Sequence, residues 1–204
     1  MRIRRVLAVT SSTAFLTING TPSLTVALRH LTSVGINSEV TIAVNEELAE
    51  DVQKILKTES IHILICEPTW PRSLAQALAP RFGDVDAIMI HDASRPMTPQ
   101  SLFSAVVSAF GDEVDAVRPA MAFTETLKIV GRNSVIVETL DRSSVLRIGT
   151  PELIRVSAID IDERDCGWFL PLKKEVRVLH IDGSPEGTRL NTSADRDLME
   201  LLQN

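Results

Sequence analysis

Residues 91–96, with the sequence HDASRP, place an acid, a cation and a proline directly after a short apolar run. Asp92 at the end of a strand suits a divalent cation held through one carboxylate, the usual way Mg²⁺ is carried with phosphates. Arg95 has the planar fork of donors that matches a phosphate. The segment therefore predicts a phosphate- or nucleotide-handling site. The alternative is that Asp92 caps the next turn and pairs with Arg95.

Three further polar segments are weaker candidates for the same site. Asp141 and Arg142 precede Thr150, and residues 183–189, GSPEGTR, form a Gly-rich turn that ends in a cation. Residues 10–13, TSST, carry hydroxyls that could contact a phosphate, but they include neither a glycine nor a cation. We predict an ordinary strand-to-loop turn there.

Short β-branched runs alternate with longer amphipathic stretches in the first half of the chain. Strands are predicted at 6–9, 40–44, 61–65 and 86–90, and helices at 22–34, 46–57, 73–82 and 99–110. This alternation indicates βαβ units and a mostly parallel sheet. Ligands bind outside the carboxyl ends of the strands in such sheets. We therefore expect the loops after Val9, Ile65, Ile90 and Ile181 to lie near one edge.

The second half of the chain has a different pattern. Strands are predicted at 116–122 and 176–181, and a closing helix at 193–202. Between them, residues 126–130 and 135–139 flank a turn-forming tip, which predicts a β-hairpin. A hairpin inserted into an α/β sheet often projects as an arm whose apolar faces need cover, and a second subunit is the simplest source. The length suits a single domain, residues 1–204, with 124–148 as the projecting arm.

Composition excludes several classes of protein. The chain has 21 basic and 27 acidic residues, a formal charge of −6, which argues against nucleic-acid or membrane-surface partners. Cys66 and Cys166 are the only cysteines, so neither a disulfide framework nor a Cys-rich metal site is expected. No stretch approaches the roughly 20 apolar residues of a membrane span. We expect a cytoplasmic protein.

Five motifs, taken in order, resemble the methylerythritol phosphate cytidylyltransferase family of non-mevalonate isoprenoid biosynthesis. HDASRP differs by one residue from the family's HDAARP. Residues 15–24 are similar to its apolar-loop-Gly-x-Pro-Leu segment, and residues 126–128, TLK, follow Glu125 where the family has Asp-Thr-x-Lys. Residues 141–143, DRS, and 149–152, GTPE, resemble the family's Asp-Arg and Gln-Thr-Pro-Gln. Residues 183–186, GSPE, together with Arg189 resemble its Gly-Ser-x-Glu-Asn-x-Lys.

The resemblance implies a Rossmann-like nucleotidyltransferase fold that dimerises through a β-arm. It implies a reaction that joins CTP and methylerythritol phosphate and releases pyrophosphate. In that reaction a carboxylate-bound Mg²⁺ and cationic side chains stabilise charge on the α-phosphate. The ligands expected are CTP and methylerythritol phosphate. The expected partner is a second copy of this chain or an active relative.

The resemblance also implies roles for individual residues. Asp92 matches the metal-linked aspartate of the nucleotide site, and Ser73 falls where a serine reads the cytosine base. The positions that line the methylerythritol phosphate pocket are Arg95, Thr126, Arg142, Thr150 and Arg189. Arg189 replaces a lysine, which keeps the charge and changes the geometry.

The chain departs from the family pattern after its first predicted strand. There the family has a Gly-rich loop with an arginine, then a Pro-Lys pair, and those two cations stabilise the transition state. Here Val9 is followed by TSST and then by Ala14, so no catalytic cation of the family is intact. Loss of preorganised charge lowers rates by orders of magnitude. We therefore expect weak or lost CTP-dependent activity.

Two alternatives stay open at this point. One is a non-catalytic binding or regulatory homologue that dimerises through its arm. The other is a nucleotidyltransferase for another sugar or polyol phosphate.

Overall fold

The computed structural model describes residues 1–36, 38–57, 61–163 and 169–202, and of residue 202 only the backbone. The strands are β1 (Ile3–Val9), β2 (Thr17–Ile18), β3 (Thr21–Pro22), β4 (Val40–Val44), β5 (Ile61–Ile65), β6 (Ala87–Asp92), β7 (Ala116–Ala122), β8 (Leu127–Val130), β9 (Ile136–Leu140), β10 (Leu146–Ile148), β11 (Glu152–Arg155) and β12 (Val178–Asp182). The helices are α1 (Ser23–Thr32), α2 (Glu46–Ile55), α3 (Pro71–Leu78), α4 (Gln100–Ala109) and α5 (Ser193–Leu202). Cys166 falls outside the described residues.

The main sheet has the strand order β10-β7-β11-β6-β1-β4-β5, and β12 pairs with β7. Neighbours among β6, β1, β4 and β5 run parallel, as do β7 and β12. Only β10 and β11 pair antiparallel to their neighbours within this sheet, in the part of the chain that the structure describes. The expected α/β fold with a mostly parallel sheet is confirmed. The reversed strand β11 was not predicted, because four residues carry too little pattern to distinguish a strand.

The central strands are buried on both faces, as strands covered by helices on each side must be. On one face Leu7 and Met89 pack in a core with Leu24 of α1 and Phe103 of α4. On the other face Ile88 and its neighbours pack against α3. Two packed layers hold β1 and β6 in fixed register.

Two element boundaries differ from the prediction in ways that matter for the site. Strand β6 continues two residues beyond Ile90, because His91 and Asp92 pair in register with Leu7 and Ala8 of β1. Helix α3 begins at Pro71, a residue that helices tolerate in their first turn. Asp92 is consequently the last residue of β6, two residues beyond the end of the predicted strand.

The predicted hairpin is present as a separate two-stranded sheet of β8 and β9. Large apolar side chains stay open to solvent along it: Val130 is 55%, Ile136 60% and Val137 62% exposed. The last three residues of the predicted arm segment, Leu146–Ile148, join the main sheet as β10. No helix within the described residues is long and apolar enough to cross a membrane.

Candidate functional site

Asp92 lies at the carboxyl end of β6 with its side chain fully buried. One oxygen, Oδ1, accepts from the Ser94 amide at 2.9 Å and from the Thr10 hydroxyl at 3.4 Å. The other, Oδ2, accepts from Nε of Arg189 at 2.9 Å and lies 3.8 Å from Nε of Arg95. The carboxylate therefore caps the turn that follows β6 and pairs with Arg95, as the structural alternative predicted, and it also holds a second guanidinium.

Arg95 is buried and joins β6 to the loop that precedes α5. Its Nη1 donates to the Gly187 carbonyl at 2.5 Å. Three residues further along the chain, the Leu190 amide donates to the Ser94 carbonyl at 2.7 Å. Burial lowers the pKa of Arg95 from its ordinary value, Asp92 opposes that change, and the nearby cations Arg189 and Arg147 add to it. A buried guanidinium so engaged fixes the position of the loop.

All three guanidinium nitrogens of Arg189 donate hydrogen bonds to residues of this chain. Nε donates to Asp92, Nη2 donates to the Thr10 hydroxyl at 2.7 Å, and Nη1 donates to Oδ1 of Asn191 at 3.3 Å. A lysine offers one point charge and cannot reach three acceptors arranged around a plane. The arginine therefore connects the end of β1, the end of β6 and the segment before α5.

Thr150 is buried and contacts the backbone of Asp92. Its hydroxyl lies 2.9 Å from Nδ1 of His91 and accepts from the Asp92 amide at 3.3 Å. Nε2 of His91 lies 3.2 Å from the Arg95 carbonyl, and the ring meets Phe103 edge-on. Burial lowers the pKa of His91 to about 3, with Arg95 adding to that change. The imidazole is thus neutral at ordinary pH and serves to position the end of the strand.

The predicted residues Thr126 and Arg142 lie just outside the paired strands of the hairpin, β8 and β9, and both are exposed. Nη1 of Arg142 donates to the Thr124 carbonyl at 2.6 Å, so the two ends of the hairpin are joined there. Neither residue takes part in the hydrogen bonds around Asp92 within the described part of the chain. The fold therefore brings Asp92, Arg95, Thr150 and Arg189 together, as a group called here the Asp92 cluster, and leaves Thr126 and Arg142 apart from it.

Ser73 lies in the first turn of α3, beyond the edge strand β5. Its hydroxyl accepts from the Glu67 amide at 3.0 Å and closes the loop between β5 and α3. Two strands, β1 and β4, separate β6 from β5 in the sheet. Ser73 is therefore engaged locally, on the side of the sheet where β5 ends.

Thr10 was predicted to belong to an ordinary turn, and the contact between Glu152 and Arg118 was not predicted. Thr10 contacts both Asp92 and Arg189, and its position directly after β1 is the signal that could have indicated it. Glu152 is fully buried beside Thr150, and Nε of Arg118 donates to its Oε2 at 2.9 Å. Burial raises the pKa of Glu152 to about 7 although Arg118 and Arg95 oppose the change. No sequence pattern connects a glutamate and an arginine 34 positions apart.

The loop after β1 is short and uncharged. Residues 6–28 contain neither lysine nor arginine. A single 3-10 turn, Ser12–Phe15, follows Thr10, and Oγ1 of Thr13 lies 3.3 Å from the Ser94 hydroxyl. The expected strand-to-loop turn is present here, but its hydroxyls contact the end of β6.

These residues do not form a metal site by themselves. Asp92 is the one carboxylate among Asp92, Arg95, Thr150 and Arg189, and both oxygens of Asp92 already accept hydrogen bonds. Within the described ranges, no group of three or more His, Cys, Asp or Glu side chains could hold a metal ion. A divalent cation would have to displace Arg189 or bring its other ligands with it.

Comparison with known proteins identifies the family. The family model of 2-C-methyl-D-erythritol 4-phosphate cytidylyltransferase matches residues 4–164. The chain belongs to this family. The resemblance inferred from the five motifs is thereby confirmed.

Individual relatives agree with this assignment. A 2-C-methyl-D-erythritol 4-phosphate cytidylyltransferase of Rhodococcus jostii is 31% identical over 197 residues, which cover 93% of this chain and 85% of the relative. A 4-diphosphocytidyl-2C-methyl-D-erythritolsynthase from Anaerococcus prevotii superposes with a TM-score of 0.76 at 17% identity, over 99% of this chain and 96% of that one. The cytidylyltransferase from Thermus thermophilus superposes with a TM-score of 0.72 at 15% identity, over 99% and 98%. The solved structures support the fold.

Proposed function

We propose that the chain is a 2-C-methyl-D-erythritol 4-phosphate cytidylyltransferase homologue with weak or lost CTP-dependent activity. One contrast carries the proposal. Asp92, Arg95, Thr150 and Arg189 are assembled at the end of β6, while residues 6–28 supply no cation at the end of β1. The side of the site expected to receive methylerythritol phosphate is retained, and the side expected to hold the triphosphate is depleted.

The expected loss of activity follows from electrostatics. Nucleotidyl transfer develops negative charge at the α-phosphate, and preorganised cations stabilise it. Removal of a single donor of this kind typically costs about 10²–10³-fold in rate. Arg189 is no substitute, because its guanidinium is held against Asp92 and is the cation expected to face methylerythritol phosphate.

The individual site residues keep the roles that the family resemblance implies, as part of this proposal. Ser73 would contact the cytosine base, and Asp92 would be the protein carboxylate toward Mg²⁺. Since Asp92 is the sole carboxylate in the cluster, Mg²⁺ is expected only together with a triphosphate that supplies further ligands. Arg95, Thr150 and Arg189 would face methylerythritol phosphate.

Dimerisation through the arm is a second part of the proposal. Thr126 and Arg142 lie on the arm, outside the Asp92 cluster, so a neighbouring subunit is the simplest recipient for them. The exposed apolar side chains Val130, Ile136 and Val137 are the surface that such a subunit would cover. The partner is a second copy of this chain or an active relative. The cytoplasmic location stays a prediction.

A regulatory or binding role is the second candidate function. Two features favour it: the assembled Asp92 cluster, which is expected to bind methylerythritol phosphate, and the exposed apolar surface of the arm. Neither ligand binding nor dimerisation requires turnover of CTP. In this case the chain would bind methylerythritol phosphate, dimerise and release no pyrophosphate.

The deciding experiment measures pyrophosphate release from CTP and methylerythritol phosphate with Mg²⁺, beside an intact family member under the same conditions. We expect a rate lower by at least about 10²-fold. A rate equal to that of the intact enzyme would contradict the proposal. Substitution of other sugar or polyol phosphates in the same assay tests whether the acceptor has changed.

Calorimetry with each ligand separately distinguishes the two candidate functions from an unrelated one. Binding of methylerythritol phosphate in the absence of CTP is the expected result. Binding of CTP alone would place the retained half of the site on the opposite side from the one proposed. Binding of neither ligand would contradict both candidates.

A further inference from the structure

Arg189 is held in place from both sides along the chain. Two residues before it, the Gly187 carbonyl accepts from buried Arg95, and the residue after it, Leu190, donates its amide to the Ser94 carbonyl. The backbone that carries the guanidinium is therefore fixed to the end of β6. The pairing of Arg189 with Asp92 is preorganised, so little conformational entropy is lost in making it.

The guanidinium occupies the face of Asp92 that a cation would need. Nε of Arg189 lies 2.9 Å from Oδ2, while Oδ1 is turned to the Ser94 amide and the Thr10 hydroxyl. Asp92 has no exposed side-chain surface, and the charge of Arg189 compensates the cost of burying the carboxylate. A divalent metal at Asp92 would have to replace three hydrogen bonds of Arg189, to Asp92, Thr10 and Asn191.

We propose that, without a bound triphosphate, Arg189 is the resident cation of Asp92 in place of a divalent metal, and that the site then takes a phosphate monoester without metal. The choice of a phosphate monoester as ligand rests on the function proposed above. The statement about Arg189 and metal rests only on the contacts of Asp92.

The charges around the site fit a phosphate. Arg95 and Arg189 face the carboxylate of Asp92, and the nearby carboxylate of Glu152 is paired with Arg118, so an excess of positive charge remains. Arg147 and Ser184 line a small cavity together with Arg95, so a further cation and a hydroxyl lie close to Arg95. A dianionic phosphate monoester is compensated by these groups without the aid of a metal.

The metal part of the proposal is tested with Mn²⁺, whose electron paramagnetic resonance signal falls when the ion is bound. The wild type is expected to leave the signal of free Mn²⁺ unchanged. Arg189→Gln, which uncovers Asp92, is expected to bind Mn²⁺ at least about tenfold more tightly than the wild type. Arg189→Lys, the residue that the family has here, is expected to lie between them. The double variant Arg189→Gln with Asp92→Asn should lose the gain.

Arg29→Gln is the matched control, since Arg29 is an exposed arginine on α1 and should leave Mn²⁺ binding as in the wild type. If Arg189→Gln folds poorly, its melting temperature gives a second readout, because Mn²⁺ should raise it and leave that of the wild type unchanged. Wild-type binding of Mn²⁺ as tight as that of Arg189→Gln would overturn the proposal. So would a gain that survives Asp92→Asn.

The ligand part is tested by calorimetry of the wild type with methylerythritol phosphate, once with Mg²⁺ and once with EDTA. The two dissociation constants should agree within about threefold, a difference below 1 kcal/mol. A loss of tenfold or more with EDTA would overturn the metal-independent site. If methylerythritol phosphate binds under neither condition, the proposed function fails, and the Mn²⁺ comparison still decides the role of Arg189.

Discussion

The Asp92 cluster and the hairpin arm of β8 and β9 differ in where their side chains find partners. In the cluster, a buried carboxylate and a buried guanidinium find their partners within one chain. On the arm, Val130, Ile136 and Val137 stay more than half exposed. A buried charge is stable only if the same folded chain supplies an opposite charge or hydrogen bonds, whereas an exposed apolar surface can be covered later by a second subunit. The cluster should therefore govern the stability of the monomer, and the arm should govern its association.

The largest effect is expected when Asp92 is changed to Asn. Arg95 and Arg189 then face each other without a carboxylate, and the loss of one partner of a buried ion pair typically costs about 3 kcal/mol or more. Urea denaturation followed by circular dichroism measures this change in the free energy of unfolding. Asp86→Asn is the control, since Asp86 pairs with Arg2 in solvent and should contribute far less. Equal effects of the two variants would remove the contrast between the cluster and the surface.

A smaller, pH-dependent effect is expected at Glu152. Its pKa is raised in the folded protein from an ordinary value of 4.5 to about 7, chiefly by burial. Between those two pH values the folded state binds more protons than the unfolded state, so the carboxyl group lowers stability as pH rises. The free energy of unfolding of Glu152→Gln, minus that of the wild type, should increase from pH 4.5 to 7 and then level off.

Denaturation of both proteins at a series of pH values measures this difference. A difference that stays constant with pH would mean that Arg118 compensates the buried carboxylate fully. A difference that decreases would mean that the ion pair stabilises the fold.

The smallest effect on monomer stability is expected on the arm. Ile136→Glu places a charge on the exposed apolar surface, so it should shift a dimer to monomers while the free energy of unfolding of the monomer changes little. Sedimentation velocity measures the association. Leu201→Glu, at an exposed apolar position on α5 away from the arm, is the control. A wild type that sediments as a monomer, alone and with an active relative, would contradict the proposed role of the arm.

Much of the fold could be predicted from local pattern. The apolar runs that became β4 and β5 and the amphipathic stretches that became α1, α2 and α4 were placed within two or three residues of their observed ends. These elements have enough residues to show a period. Strand β11 has four residues and β10 has three, and both owe their conformation to the strands beside them.

The sequence motif predicted Asp92 and Arg95 of the candidate site, but not the contacts that residues from other parts of the chain make with them. Asp92 and Arg95 stand in one short motif, so their types and spacing pointed to them directly. Thr10 and Arg189 lie 179 positions apart, and their contact depends on how β1 and the loop before α5 reach the same edge. Local sequence carries no information about such a meeting.

The sequence by itself determined the α/β alternation, the family and the lack of a cation after the first strand, because each is a property of residue types in order. Only the tertiary structure decided that Arg189 pairs with Asp92, that Thr10 joins them and that Glu152 is buried beside Thr150. Those outcomes depend on which strand ends meet and on which charges lose their water. Burial of a charge is favourable only where a partner from elsewhere in the chain arrives at hydrogen-bonding distance.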